Sequence, residues 1–294
     1  MSAALRGITP DKIVKRGKLF LYSKWGCGKT LTALQFPQSY ILDTERGAEN
    51  YPTLIRRGKS SYLSTGDLEE IIGEVVTLAT TPHEYRTVVI DPISVPWNNE
   101  VEKWEKRLGN EHGRHYLAAQ KSMRRLNSWL LRVDMNVIVT AHEKDEYGKD
   151  HEKIGKTFDA WQKSGFLFDT IVRLSREGKK FRADVEKQRA EPGQPRLPDA
   201  ISWEEGDYVT FYSSISEAFG KAVVEAKAIP QPPPDETRLA RIRTYIDVLK
   251  ISQEEIDKWF AKAQVETWEE MSEKQLDSVL DFLKNKLSSI SGGK

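Results

Sequence analysis

Two spacings of apolar residues run along this chain. Short unbroken apolar runs at 18–22 (KLFLY), 39–42 (SYIL), 87–90 (TVVI) and 136–140 (NVIVT) read as strands. Leu68, Ile71, Ile72, Val75, Val76 and Ala79 instead recur at the i, i+3, i+4, i+7 spacing of one helical face, which predicts a helix over 68–79. A helix opening at 31–36 and a long helical section over about 97–133 fill the remaining gaps. Strands alternating with helices predict an α/β fold with a mostly parallel sheet flanked by helices. Near-continuous Val, Ile and Leu in the third and fourth strands suits burial on both faces.

The pattern changes after Phe166. Residues 168–174 and 180–187, joined by Glu177-Gly178, read as two strands of a hairpin, expected to extend the sheet antiparallel at one edge. The proline-rich stretch 228–235 reads as a stiff linker. It divides the chain into a core, 1–227, and a small helical C-terminal module, 236–294. In that module Ser252 with Glu255, and Ser272 with Gln275, fit capping boxes. Leu276, Val279, Leu280, Leu283 and Leu287 make one apolar face. The first 16 residues read as an irregular lead-in.

Composition narrows the classes. With 38% hydrophobic residues in 294, the chain can build a sizeable core, which excludes wholesale disorder. A net charge of +1 supplies no basic field over the whole molecule, so any nucleic-acid contact needs a local patch. The one cysteine, Cys27, has no internal disulfide partner and fits a reducing cytosol, so a cytoplasmic location is expected. No apolar run approaches the roughly 18–20 residues of a membrane helix. The N-terminal segment lacks the apolar stretch of a secretory signal.

The strongest chemical signal is Ser23-Lys24-Trp25-Gly26-Cys27-Gly28-Lys29-Thr30. It follows a predicted strand and opens a predicted helix, the context of a Walker A phosphate loop. Glycines let backbone N–H groups curl around phosphates. Lys29 is then expected to reach the β- and γ-phosphates of ATP, and the Thr30 hydroxyl to ligate Mg²⁺. Ser23 stands where the pattern has glycine, a departure that bears on the turn geometry. Asp91 ends the run TVVI, the place of the second, Walker B, ligand of Mg²⁺.

Three further segments stand in a telling order: Asp43-Thr44-Glu45-Arg46-Gly47, Thr140-Ala141-His142, and Lys187-Gln188-Arg189. Together with the phosphate loop they resemble the RecA-like P-loop NTPases. The resemblance implies that Glu45 is the base that activates water, and that His142 occupies the γ-phosphate sensor position, where the family usually has Gln. It implies that Lys187 and Arg189 are cations reaching a neighbouring subunit's ATP, so that turnover needs a homo-oligomer, a ring or a filament. More narrowly, ILDTERG, TVVID, VIVTAHEK and FRADVEKQR are similar to phage-encoded ATPases of the Sak-type single-strand annealing group. That likeness spans roughly residues 17–190. It implies a host-cell cytoplasm, single-stranded DNA as partner, and annealing or recombination as the outcome.

Residues 143–163 follow the fourth strand, where the resemblance places a DNA-contacting loop. They carry lysines and Tyr147, Phe158 and Trp161, beside Glu143, Asp145, Glu146, Asp150 and Glu152. A solvated surface loop fits the mixed charge equally. A second candidate is 107–125, with Arg107, Arg114, His115, Lys121, Arg124 and Arg125 beside Tyr116. The C-terminal module is acidic beyond Arg238, Arg241 and Arg243, and reads as a protein-interaction module. Two rival functions stay open. One is a nucleotide-gated binding module with little turnover. The other is a small-molecule kinase, for which no arginine-rich lid is visible.

Overall fold

The structure is a computed structural model that describes residues 16–148, 150–190, 196–207, 210–219, 239, 241–243, 245–246, 249–263, 265, 267–268, 271 and 273–291. The lead-in of residues 1–15, the proline-rich linker, Arg238 and Ser272 lie outside the described residues. The chain divides into two compact units, Met1–Pro230 and Gln231–Lys294.

The first unit is built on one sheet. Its strands are β1 (Lys18–Ser23), β2 (Ser39–Asp43), β3 (Ser61–Ser64), β4 (Thr87–Asp91), β5 (Asn136–Tyr147), β6 (Lys153–Phe158), β7 (Thr170–Glu177), β8 (Lys180–Gln188) and β9 (Ala200–Glu204). Their spatial order is β3-β2-β4-β5-β1-β7-β8-β9, with β6 paired to β5 off this path. Every pairing from β3 across to β7 is parallel. β8 and β9 then add antiparallel.

The strands of the sheet centre send alternate side chains to two cores. Phe20 and Tyr22 of β1, Val88 and Ile90 of β4, and Val137 and Val139 of β5 point to one face. There they meet α3 (Leu68–Thr80), α4 (Ser94–Leu108) and α5 (Arg114–Arg132). Leu19, Leu21, Val89 and Ile138 point to the other face, against Ala33 of α1 (Lys29–Ala33) and Phe211 and Ile215 of α6 (Thr210–Phe219). A short helix, α2 (Pro52–Arg57), joins β2 to β3. Each fully buried Leu, Ile or Phe contributes about 1.5–3 kcal/mol, so burial on both faces holds the central strands rigidly. α3 buries Leu68, Ile71, Ile72, Val75, Leu78 and Ala79. Its start is fixed by Asp67, whose carboxylate accepts from Glu69 N at 2.7 Å and Glu70 N at 3.1 Å, a cap of about 1 kcal/mol.

Four sequence expectations need correction. The long helical section is two helices, because residues 109–113 hold Gly109, His112 and Gly113 at φ of 71°, 55° and 67°, the left-handed region that breaks a helix. The late hairpin does not lie at the edge. β7 is an inner strand parallel to β1, and only β8 reverses. The edge strands β3 and β9 lack an unbroken apolar run, and the sequence reading did not find them. Finally, the stretch 143–163 is not one loop, since residues 143–147 and 153–158 are strands. β5 runs on to Tyr147 and pairs antiparallel with β6, Glu143 facing Phe158. The mixed charge that suggested a solvated loop pairs across the two strands. Lys156 bonds Asp145 and stands 3.6 Å from Glu143, and Lys153 stands 3.0 Å from Asp145. Opposite-charge cross-strand pairs of this kind stabilise a ladder.

The second unit contains α7 (Gln253–Ala263) and α8 (Glu273–Ser291). Leu276, Leu280 and Leu283 are buried on the predicted face of α8, with Val279 packed beside them. The Leu287 side chain lies outside the described residues. Half of the first capping box forms: Glu255 N donates to Ser252 Oγ at 3.3 Å. The Glu255 carboxylate instead takes Lys286 at 3.1 Å. Among the described residues no helix is long and apolar enough to cross a membrane.

Candidate nucleotide-binding site

The sheet order sets β5 between β1 and β4. The segments leaving the carboxyl ends of these strands therefore converge on one crevice, where open α/β sheets bind ligands. A cleft of about 230 Å³ lies there. It is lined by Trp25, Gly26, Cys27, Gly28, Lys29 and Thr30 of the phosphate loop, and by Glu45, Asp91 and His142. The fold thus gathers residues from four separate stretches of sequence.

The loop geometry follows from its glycines. Gly26 and Gly28 have φ of 71° and 89°, a conformation any side chain would strain. Gly28 caps the helix that starts at Lys29. Lys29 folds back into the loop: its Nζ donates to Ser23 O at 3.2 Å, Ser23 Oγ at 3.1 Å and Lys24 O at 3.0 Å. Burial pulls its pKa below the usual lysine value, opposed by nearby Asp91. The departure at Ser23 is thus absorbed. Its fully buried hydroxyl accepts from Lys29 and donates to Lys24 O at 2.7 Å.

Asp91 is 4% exposed. Burial raises its pKa, against hydroxyl donors from Thr140 and Thr30 and the charge of Lys29. A buried carboxylate hydrogen-bonded by hydroxyls, with Lys29 as its nearby counter-charge, still favours a further cation. Thr30 and Asp91 together offer two hard oxygen donors. Among the described residues no group of three or more His, Cys, Asp or Glu could hold a metal. Mg²⁺ suits so sparse a set, because it keeps waters and shares phosphate oxygens. The residues fit Mg²⁺ with a nucleotide phosphate chain.

Glu45 is held at the cleft by a residue the sequence reading passed over. Asp43 is buried, and its carboxylate accepts from Gly47 N at 3.0 Å and Ala48 N at 2.9 Å. That closes residues 44–48 into a tight turn with Glu45 at its outer side. The local signal was present, an Asp followed two to five residues on by free N–H groups. On β5, two strands from β2, His142 N donates to the buried Ser94 Oγ at 2.8 Å. Its Nε2 lies 3.1 Å from Glu45 Oε1. Thr140 and Ser94 carried no local signal of their roles.

Lys187 and Arg189 do not line this cleft. Lys187 faces Ile171, itself level with Phe20 in the first half of β1. Lys187 Nζ donates to Gly165 O at 2.6 Å, and burial lowers its pKa. Arg189 Nη2 donates to Phe166 O at 3.1 Å, and its Nη1 stands 3.8 Å from Asp169. In the two DNA candidates some of the cations already have partners. Lys144 is paired with Asp159 and Arg125 with Glu69, and Arg107 lies over Trp104.

A sequence model of the AAA domain matches residues 15–192, a stretch that holds the whole cleft. The chain belongs to the AAA domain family. Membership makes this a P-loop ATPase domain and implies use of a nucleotide, typically with Mg²⁺. Its mostly parallel sheet, flanked by helices and with the phosphate loop after β1, is the RecA-like P-loop NTPase fold. Among curated proteins none matches the chain. Among solved structures the domain is similar to the RadB recombinase, at 17% identity and a TM-score of 0.42 over 64% of this chain and 86% of that one. It is also similar to a DnaB-like replicative helicase, at 12% identity and a TM-score of 0.40 over 66% of this chain and 56% of the helicase.

Proposed function

We propose that this chain hydrolyses ATP in a head-to-tail homo-oligomer and acts on single-stranded DNA, promoting annealing or recombination in the manner of the phage Sak-type group. The observation that carries the catalytic part is the Glu45–His142 contact over a cleft that also presents Lys29, Thr30 and Asp91. Bound ATP supplies the phosphoryl group, and Mg²⁺ the charge that offsets its negative oxygens. The loop from Ser23 to Gly28 cradles phosphates through backbone N–H groups. Lys29 exchanges its loop oxygens for phosphate oxygens. Thr30 and Asp91 hold the cation. Glu45 takes a proton from the attacking water, and His142 keeps that carboxylate aimed.

The cleft supports the oligomer. Among the described residues Asp43, Glu45 and Asp91 line it against one side-chain cation, Lys29, so beside Mg²⁺ the charge developing on the phosphates lacks a second protein cation to stabilise it. Lys187 and Arg189 are too far along the sheet to act in their own chain, and serve the next copy. Trp25, 91% exposed on the rim of the phosphate loop, gives that copy an apolar surface to cover. The DNA reading rests on the motif order, and on the hairpin of β5 and β6 that continues directly from His142.

A second reading, a nucleotide-gated module with little turnover, draws on the self-satisfied Lys29 and on Ser23. The deciding experiment is ATP hydrolysis with and without single-stranded DNA, with Lys29→Ala and Glu45→Gln as controls. DNA-stimulated turnover that both substitutions abolish supports the proposal. Nucleotide binding without turnover, lost only in Lys29→Ala, favours the module.

A further inference from the structure

The second unit carries a groove of about 580 Å³ between α7 and α8, within the roughly 300–1,000 Å³ range of ligand-sized clefts. Its apolar floor is made by Trp259, Met271, Val279 and Phe282, with Phe282 47% exposed. Among the described residues the charged ones lining it are Lys262 and Lys274. This contrasts with the rest of the unit, since residues 231–294 hold ten Lys and Arg against twelve Asp and Glu. The described charges at the groove are thus positive on a unit that is net negative.

The groove is polar along its length. Gln275 Nε2 donates to Ala263 O at 3.2 Å, which brings the end of α7 to the start of α8 and sets Lys262 and Lys274 at one end. Phe282 lies about 12 Å further along α8, at 1.5 Å per residue, packed edge-on against Trp259 at 5.7 Å. Nucleic-acid bases need free ring faces to stack. Here the two rings contact each other, and Lys286 sits over Phe282 at 5.7 Å. An extended or helical peptide needs only the floor and the lysines.

We propose that this groove docks a short acidic segment of a partner protein. Apolar anchors seat at Trp259 and Phe282, and carboxylates face Lys262 and Lys274. Central aromatic contacts carry most of such binding energy, and the lysines select for charge. This site is independent of nucleotide turnover.

The test is selection of a random displayed-peptide library on the full-length protein. Enriched peptides are expected to pair acidic residues with apolar anchors. Their affinity, read by tryptophan fluorescence, should fall at least tenfold in Lys262→Glu/Lys274→Glu and be lost in Phe282→Ser, with nucleotide binding unchanged. The double lysine variant, altered only at exposed positions, decides the matter if Phe282→Ser does not fold. Enriched peptides that are basic or neutral, or whose binding ignores the lysines, overturn the proposal. So does a lysine-dependent affinity for a single-stranded oligonucleotide in place of peptides.

Discussion

His142 Nε2 stands 3.1 Å from Glu45 Oε1, joining the middle of β5 to the turn after β2. Both side chains are nearly half exposed, so the pair contributes little to stability. Its proposed value lies in aiming the carboxylate. Glu45→Gln is expected to lower kcat by about 10²–10⁴, the usual worth of a general base, with nucleotide affinity held within a few-fold. His142→Ala is expected to lower kcat by about 10-fold or more, and His142→Gln to recover part of it, since an amide still donates to Glu45. Single-turnover hydrolysis alongside nucleotide affinity separates the two roles. Equal rates for His142→Ala and the native protein would remove His142 from the site.

Asp91 is buried as a carboxylate with hydroxyls for partners. Without nucleotide this charge costs the fold. Asp91→Asn keeps the size and can still accept from Thr140 and Thr30. It is expected to raise the Tm of the nucleotide-free protein by about 2–4 °C, the effect of roughly 1 kcal/mol in a domain of this size. The rise in Tm that Mg²⁺ and ATP give the native protein should vanish. A thermal melt with and without ligand reads both, and a variant that melts lower without ligand contradicts the account.

Lys187 and Arg189 sit on the carbonyls of Gly165 and Phe166, away from their own cleft. Arg189→Ala should therefore abolish turnover without weakening nucleotide binding. A mixture of Arg189→Ala with Glu45→Gln should recover activity. Random head-to-tail mixing gives about a quarter of contacts one intact cleft and one intact arginine. A mixture as inactive as its components would show that Arg189 does not act across copies.

Tyr22, one residue before the phosphate loop, donates to Glu186 Oε1 at 2.5 Å. Glu186 is the extra residue where the β7–β8 register shifts. Burial raises its pKa above the usual carboxylate value, against the Tyr22 bond and Arg173. The folded state therefore holds this proton more tightly than the unfolded chain. The ionised group costs stability above its folded pKa, and that cost disappears as pH falls toward the unfolded value near 4.5. Glu186→Gln should thus be more stable than the native protein at pH 7, and the two should converge near pH 4. Melting curves across that range check the sign.

Sequence alone determined what is contiguous. The phosphate loop was legible because its glycines, Lys29 and Thr30 act within eight residues, and the turn needs no distant partner to form. The central strands were legible because burial on both faces demands unbroken apolar runs. Asp91 could be read as the acidic end of such a run. Tertiary structure alone decided what depends on strand order. It set β5 between β1 and β4, and so laid His142 against Glu45 and Thr140 beneath Asp91. It also carried Lys187 and Arg189 away from the cleft. The charged stretch after His142 became a hairpin because its acids and bases pair across strands, and the edge strands β3 and β9 lack the unbroken apolar run that marks the central strands. A local turn needs only the residues that form it, whereas a contact between strands needs a register that the whole core fixes.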